Sequence, residues 1–179
     1  MLTQAIVFLA DAIIGFFCFL FLLRFYMQAF RVSFANPFGH FAVALTNWAV
    51  KPLRRVVPGM FGLDMASLLM ALVLQLALIA LVLALGGGLF ILDGPTVAVA
   101  MVWGAVRGVL RLSIYILIGA LILQAVLSWV NPYSPLSGPA NQLTRPFLSP
   151  IQRIIPPISG IDLSPLVAIL LAQVVLMFL

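Results

Sequence analysis

The sequence predicts an all-α membrane protein: four transmembrane helices as two tandem repeats of helix, amphipathic connection and helix. Three observations carry that prediction. Of the 179 residues, 65% are hydrophobic and only 7% charged, whereas a soluble domain carries roughly a quarter charged residues. Too little charge is left to cover a globule in water. The apolar residues gather into segments of bilayer-spanning length, and a polar signature in the first half recurs in the second.

A helix crossing about 30 Å of hydrocarbon needs about 20 mostly apolar residues. Ala5 to Phe25 supplies the first span, interrupted by Asp11 and closed by Arg24. The apolar run continues to Phe30, longer than the roughly 7–15 residues of a signal-peptide core, and no basic segment precedes it. Met65 to Leu85 is the second span, ending at Gly86-Gly87-Gly88. The third lies between Gly104 and Val130, with an apolar lead-in from Thr96 that lets the helix start early and tilt. Leu163 to Leu179 is the fourth, short at about 25 Å and without a polar anchor; either the bilayer is thin there or a tail follows.

The connections differ in kind. Asp93-Gly94-Pro95 reads as a tight turn between the second and third spans. Arg31 to Gly62 and Asn131 to Gly160 are long, proline-rich and basic, yet too apolar for solvated loops. Phe38, Phe41, Leu45 and Trp48 recur at helical spacing, with His40, Asn47, Lys51 and Arg54 on another face. That pattern fits a helix lying in the membrane interface, against headgroups, the bundle or a partner. Pro52 and Pro150 are placed to start short helices, and Pro58 and Pro156 to end them.

The repeat is read from one register. Asn36-Pro37-Phe38 matches Asn131-Pro132-Tyr133, and Lys51 to Pro58 matches Ser149 to Pro156. Gly62, Asp64 and Gln75 then match Gly160, Asp162 and Gln173. The division is 1–92 and 93–179. With two crossings per copy, matched residues share a depth. Arg24, Arg31, Lys51, Arg54, Arg55, Arg145 and Arg153 fall on the side of the long connections, and Arg107 and Arg111 on the other. The excess places those connections in the cytoplasm and both termini outside.

Several polar residues have two readings each. An intramembrane carboxylate is expensive unless paired or wetted, so Asp11 either pairs with Arg111 or Arg107 near the outer interface or reaches headgroups. Asp64 and Asp162 stand just before spans, where a carboxylate caps free N–H groups; an ion pair to the Arg of the same repeat is compatible with that, and a proton-relay role is the alternative. Gln75, Gln124 and Gln173 join helices by hydrogen bonds or line a polar path. Gly104-xxx-Gly108 permits close helix contact, a weak signal with Arg107 inside it. Arg24, Lys51, Arg54, Arg55, Arg145 and Arg153 form the candidate surface for anionic lipid or a partner protein.

The motifs resemble those of the YggT family. Leu22 to Gln28, Asn36-Pro37-Phe38 and Lys51 to Pro58 look like its first half; Leu127 to Pro132, Pro150 to Pro157 and Gly160 to Pro165 look like its second. Gln124 and Gln152 depart from it, standing where the family often has arginine. The resemblance implies a small multi-pass protein of the bacterial plasma (inner) membrane, with relatives in cyanobacteria and chloroplasts. It also implies links to osmotic tolerance and ion uptake, to division or nucleoid organisation, or to cytochrome assembly.

Four acidic residues, one His and one Cys give no acid–base pair, nucleophile constellation or phosphate loop, so no enzyme, metal or cofactor is expected. Cys18 cannot form a disulfide within the chain. The charge of +5 is too dispersed for nucleic acid. What remains is a noncatalytic scaffold or assembly factor presenting basic amphipathic segments to lipid and other membrane proteins. The alternative is an oligomeric channel or transport accessory for osmotic or ion homeostasis.

Overall fold

A computed structural model describes every residue except 58, 61, 88–92, 132 and 155–161, and except the side chain of Trp129. Among the described residues six helices follow in order: α1 (Leu2–Ala29), α2 (Pro37–Val56), α3 (Met65–Leu85), α4 (Gly94–Val130), α5 (Ser137–Ile154) and α6 (Ser164–Phe178). Three of them, α1, α3 and α4, are long and apolar enough to cross a membrane. Outward-facing Phe8, Ile13, Val73, Val102 and Ile122 are what a lipid-facing surface requires.

Local chemistry sets the helix ends. The chain leaves α1 through Arg31 in the left-handed region, φ 55°. Its N–H reaches the Gln28 carbonyl at 3.1 Å, and that of Val32 reaches the Met27 carbonyl at 2.7 Å. This is the Schellman exit that usually employs glycine. Asn36 caps α2, its Oδ1 accepting from the Gly39 N–H at 3.0 Å, with Pro37 next, where its missing N–H costs nothing. Asp93 caps α4 through the N–H and hydroxyl of Thr96. Asp93-Gly94-Pro95 is therefore a helix start rather than a turn, and α4 runs 37 residues, about 55 Å.

α3 runs antiparallel to α1, with Cys18 at Ala71 and Arg24 at Asp64, and antiparallel to α4. A Cβ on Gly104 would touch Ile79 at 3.2 Å, and one on Gly108 would land on the Gln75 carboxamide. The weak small-residue signal therefore marks a close contact of α3 and α4. The main core lies between α1, α2, α3 and α4 around Phe21, Leu22, Met27, Val50, Ala71 and Ile116; a smaller one joins α4, α5 and α6 through Leu121, Leu148 and Ala168. We call the end of the bundle carrying α2 and α5 the arm end.

The arms correct the sequence reading at the prolines. Pro52 lies inside α2, and Pro146 and Pro150 inside α5, so Pro52 and Pro150 do not begin helices. Each removes one hydrogen bond, but all three rings are exposed, where polar surroundings can satisfy the freed carbonyl. Pro58 and Pro156 lie outside the described residues. The periodicity of Phe38, Phe41 and Trp48 is helical, but those side chains are exposed. The face of α2 that meets the bundle consists of Gly39, Ala42, Thr46, Ala49 and Val50, small enough to bring its backbone against α1 and α3.

Candidate functional site

The most elaborate polar site sits where α1, α2 and α3 meet at the arm end. Arg24, on a buried stretch of α1, is only 5% exposed. Its Nε donates to Asp64 Oδ2 at 3.2 Å. Its Nη1 donates to Thr46 Oγ1 at 3.0 Å and Asn47 Oδ1 at 2.9 Å, both on α2. Asp64 is 1% exposed and caps α3, accepting from the Ser67 hydroxyl at 2.7 Å and more weakly from the Ser67 N–H at 3.4 Å. Arg54 closes the site from the end of α2, with Nη2 at 2.7 Å and Nε at 3.2 Å from the two carboxylate oxygens. Gln28 accepts from Arg54 and donates to the Gly62 carbonyl.

Burial alone raises the Asp64 carboxyl. The hydrogen bonds from Arg54 and Ser67, with the charges of Arg54 and Arg24, outweigh that and hold it below the ordinary carboxylate range. A carboxylate whose pKa falls on folding contributes stability above its unfolded pKa of about 4, lost as pH falls through the lower folded value. In detergent, the wild-type unfolding midpoint should therefore drop between neutral pH and about pH 3 by more than that of Asp64→Asn. Asp93 and Asp162, also lowered, are common to both proteins, so the difference isolates Asp64.

The second half carries a counterpart in which glutamines stand in place of both arginines. Thr46 donates to the Ala42 carbonyl and Thr144 to that of Ala140. Where Arg24 meets Thr46, the Gln124 carboxamide meets the Thr144 hydroxyl. Where Arg54 meets Asp64, Gln152 Nε2 donates to Asp162 at 2.8 Å. Asp162 accepts from the Ser164 N–H at 2.9 Å at the start of α6. Its partner is thus Gln152 rather than Arg153, and it is exposed.

The other candidates separate into three groups. Lys51, Arg55, Arg145 and Arg153 are exposed along the arms, and among the described residues none has a carboxylate within 4 Å. Arg24, expected to meet lipid or a partner, is instead buried because α2 and α3 close over it, and Arg54 is committed to Asp64. Asp11, Arg107 and Arg111 line one cleft, yet no ion pair joins Asp11 to either arginine. The contacts of Gly104 and Gly108 place the α4 backbone at both arginines beside the middle of α3.

Gln75 is buried, Nε2 facing Cys18 Sγ at 3.7 Å, whereas its repeat partner Gln173 is exposed on α6 and joins no helix within the described chain. Sequence reasoning missed Thr46, Asn47, Gln28 and Ser67. Gln28 was findable, one turn beyond Arg24 on the same helix face; Thr46 and Thr144 occupy matching places in the repeat register.

Comparison with known proteins follows the same outline. The chain is 34% identical to the uncharacterised protein PA0392 of Pseudomonas aeruginosa, across 97% of this chain and 87% of that one. It is 34% identical to the uncharacterised protein YggT of Escherichia coli K12, across 96% and 87%. An uncharacterised Haemophilus influenzae protein is 33% identical, across 82% and 75%. No solved structure matches. A family model described as CCB3/YggT matches residues 3–85 and 103–179. A membrane protein by its apolar helices, the chain belongs to the CCB3/YggT family.

Proposed function

We propose that the protein is a noncatalytic scaffold or assembly factor of the plasma membrane, whose two arms offer cationic surface to anionic lipid headgroups and to other membrane proteins. The observation that carries this reading is the division of labour among the arginines. Arg24 and Arg54 are used up in fixing α2 to the bundle through Asp64. Lys51, Arg55, Arg145 and Arg153 are left outward on the fixed arms. Cations held near an anionic leaflet are worth about 1 kcal/mol each, so four give useful attraction only if all face it together.

The same reading takes α6 as a fourth crossing and the chain as a duplication. Support comes from the paired bonds of Thr46 and Thr144 and of Asp64 and Asp162, which put both arms at one end. At 15 residues, α6 is about 22 Å long, enough only for a locally thin bilayer or with its ends drawn in. The excess of cations at the arm end orients that end to the cytoplasm.

The test is charge reversal at Lys51, Arg55, Arg145 and Arg153 together, sparing Arg54. Membrane insertion and unfolding midpoint should hold. Recruitment of phosphatidylglycerol to the purified protein, and crosslinked partners in native membranes, should both fall at least tenfold. If both survive reversal, the scaffold reading is wrong.

A further inference from the structure

The arms leave unexplained the polar cleft further along the bundle, between α1, α3 and α4. It encloses about 450 Å³ and is lined by Asp11, Gln75, Arg107, Arg111 and Tyr115 among others. Its depth follows from the helix register. Gly108 lies against Gln75, the central residue of α3, so Arg107 and Arg111 flank the middle of a helix that spans the bilayer. Charged side chains at that depth are expensive and mark functional sites. The α4 side chains lean toward its N-terminus, away from the arms, and the Arg107 guanidinium lies 5.1 Å from the Trp103 ring centre.

The charge is incompletely matched. Two guanidiniums face one carboxylate, and no N···O contact within 4 Å joins them, although Asp11 shares the cleft. Even a full pairing would leave one positive charge over. Guanidinium forks match planar carboxylate and tetrahedral phosphate oxygens. The Gln75 amide and Tyr115 hydroxyl line the same cleft as neutral groups.

We infer that this cleft is a binding site for one phosphate-type oxyanion, held between Arg107 and Arg111 at the bundle's mid-depth. Free phosphate and the headgroup of an anionic phospholipid share this chemistry. Asp11 holds the cleft's net charge at +1, suiting it to a single negative charge.

The test uses the full-length protein in neutral detergent, titrated separately with inorganic phosphate and with phosphatidylglycerol, reading the unfolding midpoint. Saturable stabilisation is expected from at least one, and half-saturation should rise at least tenfold in Arg107→Gln/Arg111→Gln. Arg107→Lys/Arg111→Lys keeps the charge and loses the fork, so its half-saturation should fall between those of wild type and the glutamine variant, which guards against a double variant that fails to fold. With the four arm cations reversed, half-saturation should still rise at least tenfold on adding Arg107→Gln/Arg111→Gln, which separates the site from the arm surface. A response to phosphate identifies a free anion; one to phosphatidylglycerol alone identifies a headgroup. The inference is overturned if neither titrant gives saturable stabilisation, if the glutamine variant responds like wild type, or if arm reversal abolishes the effect.

Discussion

Asp64→Ala should cost about 3–5 kcal/mol of folding stability, the largest loss expected from any single substitution here. Three effects combine. The substitution removes the cap of α3, worth about 1 kcal/mol. It leaves the Arg24 guanidinium, 5% exposed, buried without its counter-charge. It also releases Arg54, and with it the end of α2. The penalty comes chiefly from the stranded cation rather than from the lost attraction, because desolvating an ion pair consumes most of its Coulomb energy. Substituting both partners should therefore be milder. Arg24→Gln with Asp64→Asn removes both buried charges together, and Gln124 shows that a carboxamide can stand beside the matching threonine in the second half. The double variant's loss should fall below the sum of the single losses by about 0.5–3 kcal/mol. Unfolding of the four proteins by dodecyl sulfate in mixed micelles measures this; additive losses would mean that the two groups do not interact.

Gly39→Ala should be the second most damaging change, though alanine is intrinsically the better helix former by about 1 kcal/mol. A Cβ at that position would sit 2.7 Å from Phe34 Cα, with the Phe34 carbonyl oxygen closer still. These are backbone atoms, held between the exit of α1 and the Asn36 cap, and they cannot swing aside. α2 must pivot outward, drawing Thr46 and Asn47 away from Arg24. Overpacking of this kind costs about 1–3 kcal/mol, and the damaged Arg24 bonds add to it. Gly138→Ala, where a Cβ meets nothing within 4 Å, should be neutral or stabilising by up to about 1 kcal/mol. The same unfolding assay on both variants separates local crowding from propensity; equal effects would refute the crowding argument.

The apolar helices were legible in the sequence because hydrocarbon length and composition act locally: Met65 to Leu85 needed only counting. The cap of α3 was nearly as plain, since Asp64 acts on an amide three residues away; Asp93 caps α4 in the same way but reads in the sequence as part of a turn. The identity of Arg24's partners was not legible. Asp64 lies forty residues on, and only the antiparallel packing of α1 and α3 brings it within reach. The depth of Arg107 and Arg111 was hidden for a similar reason. Their register depends on how closely α3 and α4 approach, and the Gly104–Gly108 pair that sets it has no partner written in the local sequence. The docking face of α2 was not legible because large apolar residues dominate its pattern, while the small residues between them are the buried ones.

The account rests on both arms lying at one membrane surface. Single cysteines at Lys51 and Arg153, introduced with Cys18→Ser and probed with an impermeant thiol reagent in sealed inverted and right-side-out vesicles, test that directly. Both positions should label from the cytoplasmic side alone. Labelling of Lys51→Cys and Arg153→Cys from opposite sides would contradict the shared arm end, and with it the scaffold reading.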